Sequence, residues 1–188
     1  MHPNERRRGI GSGRMTSLCI ENSLLIEGFD FTHESRVNRL IEDDTLHCLL
    51  LFPGTDAISL NELDTQKREQ IFPTGKMPMV FVIDGTWHEA KKMVKLSTNL
   101  QQLPTISFTP RVSSRFRVRK QPRSNCYATI EAVHQVLSLL DEDRDEARRP
   151  YDNLIEVFDY MVERQLAYGR KPPRIRQGGP LVPQAVKP

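Results

Sequence analysis

Asp84, Gly85, Thr86 and Trp87 stand where an uncharged apolar run, Met79 to Ile83, gives way to a segment of helical spacing. That order spells strand, tight turn, helix start. An aspartate at the C-terminal end of a strand has three chemical uses. It takes a proton as a general base, holds a ligand's ammonium, or caps the following helix through its carboxylate. Thr86 donates a hydrogen bond to a ligand or caps the same helix. Trp87, the only tryptophan of the chain, presents an aromatic face to a base or a cation, or packs in the core. Gly85 lets a ligand approach the backbone closely. In open α/β sheets, ligands bind outside the carboxyl ends of the strands, and helix N-termini offer free N–H donors. These four residues are the candidate active site.

Two further segments qualify as ligand contacts. Leu46 to Phe52 is an apolar run stopped by Pro53-Gly54, so Leu51, Phe52, Pro53 and Gly54 form a second strand-end turn. Downstream, RKQPRSNCYATIEAV leads into a helix that Thr129 is placed to cap, with Glu131 in its first turn, where negative charge is favourable. Capping alone accounts for both residues. Alternatively, this helix start lines the same pocket as Asp84.

Periodicity supplies the elements that would position these groups. Helical spacing marks residues 33–43, Thr86 to Ser97, Thr129 to Leu140 and Tyr151 to Ala167, the last with Leu154, Ile155, Phe158, Met161, Val162 and Leu166 in one stripe. Asp56 to Leu63 suggests a short helix, and Gln70 to Pro78 a loop punctuated by Pro and Gly. Strands are expected at Leu46 to Phe52, Met79 to Ile83 and Thr105 to Phe108. A partly extended stretch follows, where Phe116 and Val118 alternate with Arg115, Arg117 and Arg119. Strands separated by helices predict an α/β fold with a mostly parallel sheet covered by helices on both faces. Residues 1–16, rich in Arg, Gly and Ser, are expected to be a flexible basic arm, 17–169 the catalytic domain, and 170–188 a basic Pro/Gly-rich tail.

Composition narrows the function classes. The chain has 188 residues, 38% hydrophobic, enough for one domain with a real core. No apolar run approaches a membrane span, and no signal-peptide pattern is present, so a cytoplasmic protein with no membrane partner is expected. Cys19, Cys48 and Cys126 are odd in number and widely spaced, which supports neither a zinc ribbon nor a disulfide framework, and no metal is predicted. GxGxxG and GxxxxGK[ST] are absent, which disfavours a dinucleotide site and a P-loop. The net charge is only +3, but it is segregated. From Arg111 to Arg123 there are six basic residues and no acid: Arg111, Arg115, Arg117, Arg119, Lys120 and Arg123. They form either a positive face for phosphates or a solvated loop.

Together the segments DGTWHEAKKM, LLLFPGTDAISL and SRFRVRKQP…YATIEAV resemble the DTW-domain proteins, named for the D-x-T-W motif that stands here as Asp84-Gly85-Thr86-Trp87. The resemblance extends over roughly residues 8–169. It implies a tRNA-uridine aminocarboxypropyltransferase related to the SPOUT class of RNA-modifying enzymes. Such an enzyme moves the 3-amino-3-carboxypropyl group of S-adenosylmethionine to N3 of a tRNA uridine and releases methylthioadenosine. It further implies a SPOUT-like sheet whose C-terminal part is threaded into a knot around the S-adenosylmethionine site. Carried onto this sequence, it makes Asp84, Thr86 and Trp87 the catalytic candidates. Leu51, Phe52, Pro53, Gly54, Asp84, Gly85, Arg119, Thr129 and Glu131 are the candidates for binding S-adenosylmethionine, and Arg111, Arg115, Arg117, Lys120 and Arg123 those for binding tRNA. Many relatives carry an N-terminal cysteine cluster expected to bind zinc. The residues before Gly9 contain no cysteine here, so zinc binding is not carried over. The competing expectations are a SPOUT-type RNA methyltransferase that uses the same donor, and a non-catalytic RNA-binding module.

Overall fold

The computed structural model of the chain describes residues 1–6, 11–118, 126–140 and 151–169. Four strands make one sheet, all neighbours parallel, in the order β2-β4-β1-β3: β1 is Leu46–Leu51, β2 Ile58–Ser59, β3 Met77–Val82 and β4 Thr105–Ser107. The helices are α1 Pro3–Arg6, α2 Ser12–Cys19, α3 Ser35–Glu42, α4 Thr65–Ile71, α5 Trp87–Leu96, α6 Thr129–Leu140 and α7 Asn153–Gly169.

β1 lies between β4 and β3, which is why its LHCLLL run carries no charge. Leu49 and Leu50 are both buried, although they point to opposite faces of the sheet. On one face Leu49 and Ile106 pack with Leu60, with Ile71 of α4 and with Val136 and Leu139 of α6. On the other, Phe81 and Ile83 pack with Val37 of α3, Met93 of α5, Phe31 and Leu100. Helices therefore cover both faces, as the alternation of elements predicted. A third cluster lies between helices: Ile130 of α6 against Leu154, Phe158, Met161 and Val162 of α7, closed by Met15 of α2 and by Ile20. β3 is an edge strand, which explains how Pro78 fits inside it and why the strand begins earlier than its apolar run suggests.

Three expectations change. Residues 56–63 form β2 and a 3₁₀ turn, Leu60–Glu62, rather than an α-helix. The helix comes later, as α4, started by the Asp64 carboxylate, which accepts from Lys67 N–H at 2.8 Å. The described part of the alternating stretch 115–119 is not a strand. Phe116 and Val118 pack on the helical cluster, with the Phe116 ring 5.3 Å from that of Phe158. Finally, residues 1–6 and 11–16 are not a free arm. Met1 N donates to Ile26 O at 2.7 Å, His2 N donates to Asp84 O at 2.8 Å, and α2 packs against α6 and α7. The knot is not shown by the described residues. Among them, no helix is long and apolar enough to cross a membrane.

Candidate active site at the strand ends

A cleft of about 580 Å³ opens where β1, β3 and β4 end. Leu51, Phe52 and Pro53 leave β1 along one wall; Val82, Ile83 and Gly85 leave β3; Ser107 and Phe108 leave β4. Trp87, Ala90 and Lys91 of α5 close one side, and Cys126, Tyr127, Thr129 and Ala132 at the start of α6 close another. The size and the apolar, aromatic walls with a few polar groups are those of a small-molecule site at the carboxyl edge of a parallel sheet. Trp87 meets Phe52 edge-on, with ring centroids 6.3 Å apart at 61°, and keeps 42% of its surface exposed. Phe108 and Tyr127 form a second aromatic pair at 5.8 Å. Burial pushes the Tyr127 phenol up, and its hydroxyl donates to Val112 O at 3.1 Å.

The four turn residues divide their work. Thr86 is the N-cap of α5: its N–H and hydroxyl donate to the Glu89 carboxylate at 2.8 and 2.7 Å, and its oxygen accepts from Glu89 N–H at 3.3 Å. This reciprocal pair satisfies donors that the helix end leaves free. Burial would raise the Glu89 pKa. The bonds from Thr86 N–H and hydroxyl outweigh that, helped by Asn4 and the nearby His2, and lower it to about 2. Gly85 is crowded from behind: an added Cβ would lie 3.3 Å from His2 Cβ. Asp84 is 6% exposed. Its Oδ1 accepts from the Thr129 hydroxyl at 2.5 Å, and its Oδ2 has no hydrogen-bond partner among the described residues. Its carboxylate lies against Gly13 of α2, so close that a Cβ there would stand 2.4 Å from Asp84 Cγ. Thr129 N–H donates to Ser12 Oγ at 3.3 Å, so α2, the turn and α6 meet at this point.

Of the predicted residues, Leu51, Phe52, Pro53, Gly85, Trp87 and Thr129 line the cleft. Asp84, Thr86, Gly54 and Glu131 are not among its lining. Asp84 is joined to it through Thr129. Gly54 borders open space. Glu131 is buried and fully used: its Oε2 accepts from Ala128 N–H at 2.8 Å and Ser114 Oγ at 2.7 Å, and its Oε1 from Arg115 N–H at 2.7 Å. It fastens the basic loop to the start of α6. Arg115 is paired with Asp159 at 2.5 Å, whereas Arg111 and Arg117 are exposed. Arg119, Lys120 and Arg123 lie outside the described residues. Sequence inspection missed Lys91, Ser107, Phe108, Cys126 and Tyr127. Lys91 had a signal: it stands four residues after Trp87, hence on the same helix face.

A family profile described as the DTW domain matches residues 1–166. The chain belongs to the DTW-domain family. Among curated relatives, it is 30% identical over 171 residues to tRNA-uridine aminocarboxypropyltransferase 2 of Drosophila melanogaster, covering 89% of this chain and 63% of the relative. It is 25% identical to the Mus musculus protein of that name over 76% of this chain and 46% of the relative. For tRNA-uridine aminocarboxypropyltransferase A of Arabidopsis thaliana the identity is 26%, over 66% of this chain and 52% of the relative. The chain thus spans between about half and two thirds of the length of these DTW-domain relatives. No solved structure matches it.

Proposed function

We propose that this protein is a tRNA-modifying transferase that moves the 3-amino-3-carboxypropyl group of S-adenosylmethionine to N3 of a tRNA uridine. One observation carries this: Gly85 and Trp87 of the motif wall a cleft of nucleoside size at the sheet's carboxyl edge, in a chain whose relatives bear that transferase's name. The donor supplies a sulfonium with three carbons open to displacement. Attack by N3 on the γ-carbon forms the N–C bond and breaks the C–S bond. The sulfur keeps the electron pair and leaves as methylthioadenosine, and the N3 proton passes to solvent.

The protein's part is to decide which carbon is presented, because the reacting atoms must sit about 3–3.5 Å apart and in line. Phe52 and Trp87 offer faces to the base and the sulfonium. The backbone of Leu51 to Pro53 and of Gly85 supplies polar contacts at the strand ends. A direct base must come within about 2.6–3.2 Å of the proton it takes, or reach it through one water. The buried Asp84 carboxylate is instead engaged with Thr129, so we assign Asp84 a positioning role that it exerts through that hydroxyl. Thr86 fixes the start of α5 and so the place of Trp87. Exposed Arg111, which follows cleft residue Pro110 in the chain, and exposed Arg117 are assigned to tRNA phosphates. The same assignment includes a SPOUT-like relationship and a C-terminal knot.

The test is incubation with unmodified tRNA and S-adenosylmethionine, followed by nucleoside mass spectrometry. Uridine carrying the aminocarboxypropyl group, with an equal amount of methylthioadenosine, is the expected result. A methylated nucleoside would identify a methyltransferase. Binding of tRNA without any modification would identify a non-catalytic module.

A further inference from the structure

Among the described residues Lys91 is the only charged side chain that lines the cleft, and nothing in the preceding assignment uses it. It follows Trp87 by four residues on α5, so both project from one helix face, the aromatic ring nearer the helix start. The acids close to it in sequence are engaged elsewhere. Glu89 is held in the cap by Thr86 and Asn4, and Asp84 is buried against Thr129 and Gly13. Among the described residues Lys91 has no ion-pair partner. An uncompensated ammonium at the edge of a cleft whose other described lining is uncharged is matched by an anionic oxygen of the ligand.

Resting on the function proposed above, we infer that Lys91 binds the carboxylate of the donor's aminocarboxypropyl arm and so fixes the direction in which that arm lies. The charges of the donor support this choice. Its sulfonium is a cation, repelled by Lys91 and attracted to the faces of Trp87, Phe52 and Tyr127, while its ammonium stays on the carbon that bears the carboxylate. Its carboxylate is its one anionic group, and Lys91 is the one cation of the lining among the described residues. Placing the carboxylate at Lys91 stretches the arm along α5, away from the aromatic pair, and holds the γ-carbon between these two anchors. Lysine is a point charge on a flexible stem, suited to following a carboxylate as the γ-carbon is attacked.

The experiment compares binding of S-adenosylmethionine with that of methylthioadenosine, which keeps the nucleoside and thioether but lacks the arm. Calorimetry on the full chain reads both ligands in the wild type, Lys91→Met and Lys91→Arg. A charge-assisted bond of about 1.5–3 kcal/mol converts to a loss of roughly 10- to 150-fold in affinity. Lys91→Met is therefore expected to weaken S-adenosylmethionine by that factor and to leave methylthioadenosine within about twofold. Lys91→Arg should recover most of the loss. Equal weakening of both ligands, or unchanged binding of both, overturns the inference. So does a variant whose only loss is in tRNA affinity, which would move the anion from the donor to an RNA phosphate. A wild-type protein that binds neither small molecule defeats the proposed function itself; one that binds both, with Lys91→Met indistinguishable from it, defeats only the role of Lys91.

Discussion

Substituting Gly13 by Ala adds one carbon where the fold leaves no room for it. The new Cβ would stand 2.4, 2.6 and 2.8 Å from Cγ, Oδ2 and Oδ1 of Asp84, whereas ordinary contact begins near 3.4 Å. The carboxylate would have to retreat by about 1 Å, which is 3.4 minus 2.4. It has nowhere easy to go, because it is 6% exposed and its Oδ1 holds the Thr129 hydroxyl at 2.5 Å. Losing a hydrogen bond to a charged group costs about 1.5–3 kcal/mol, and overpacking about 1–3 kcal/mol where it is not relieved. Against this, Ala is favoured over Gly in a helix by up to about 1 kcal/mol. Gly13 has no positive φ, so backbone strain adds nothing. We expect a net destabilisation of about 1–3 kcal/mol in urea unfolding, and weaker donor binding as Thr129 loses its anchor. A double-mutant cycle isolates the cause. With Asp84→Ala in the background, Gly13→Ala should become neutral or slightly stabilising. If Gly13→Ala costs nothing in the wild type, or costs the same in both backgrounds, the contact between α2 and the turn is not what holds this corner together.

Three further outcomes follow from the geometry. The Glu89 pKa is lowered to about 2, so its contribution to stability is fully present above the unfolded value near 4.3–4.5. That contribution is lost as pH falls from there through 2; urea titrations of the wild type and Glu89→Gln should differ most above pH 5 and converge only below about pH 2. Thr86→Ala removes the other half of the cap and should cost about 0.5–2 kcal/mol, read by thermal unfolding, with Trp87 fluorescence reporting the change at the cleft. If Arg111 and Arg117 each neutralise one phosphate, replacing both with Ala should make tRNA binding less salt-dependent, lowering the log–log slope by roughly 1.4–1.8 in a filter-binding series; an unchanged slope would remove them from the tRNA contact.

Much of the scaffold could be read from local pattern. β1 and β3 are uncharged runs because helices cover both faces of the sheet, and α6 and α7 repeat their apolar residues at three and four because they pack on each other and, for α6, on the sheet as well. α4 escaped because TQKREQI buries only Ile71; its start was signalled by the Asp64 cap, which periodicity ignores. Phe116 and Val118 alternate with arginines because the loop rests on α7, a pattern that a half-buried strand would share. The turn bearing Asp84 was legible, but the direction of its carboxylate was not. That direction depends on Gly13 and Thr129, distant in sequence, and on Gly13 having no side chain. The composition of residues 1–16, rich in Arg, Gly and Ser, suggested a flexible arm, and its glycine at position 13 is what permits this packing. Lys91 and Trp87, by contrast, share a helix face that follows from spacing alone.

A structure of the protein soaked with S-adenosylmethionine tests the central claim most directly. Density for the donor should fill the cleft beyond β1, β3 and β4, with its nucleoside against Phe52 and Trp87 and its carboxylate at Lys91. Donor bound at any other surface, with this cleft left as it is, would contradict the assignment of Gly85, Trp87 and Thr129 to the active site.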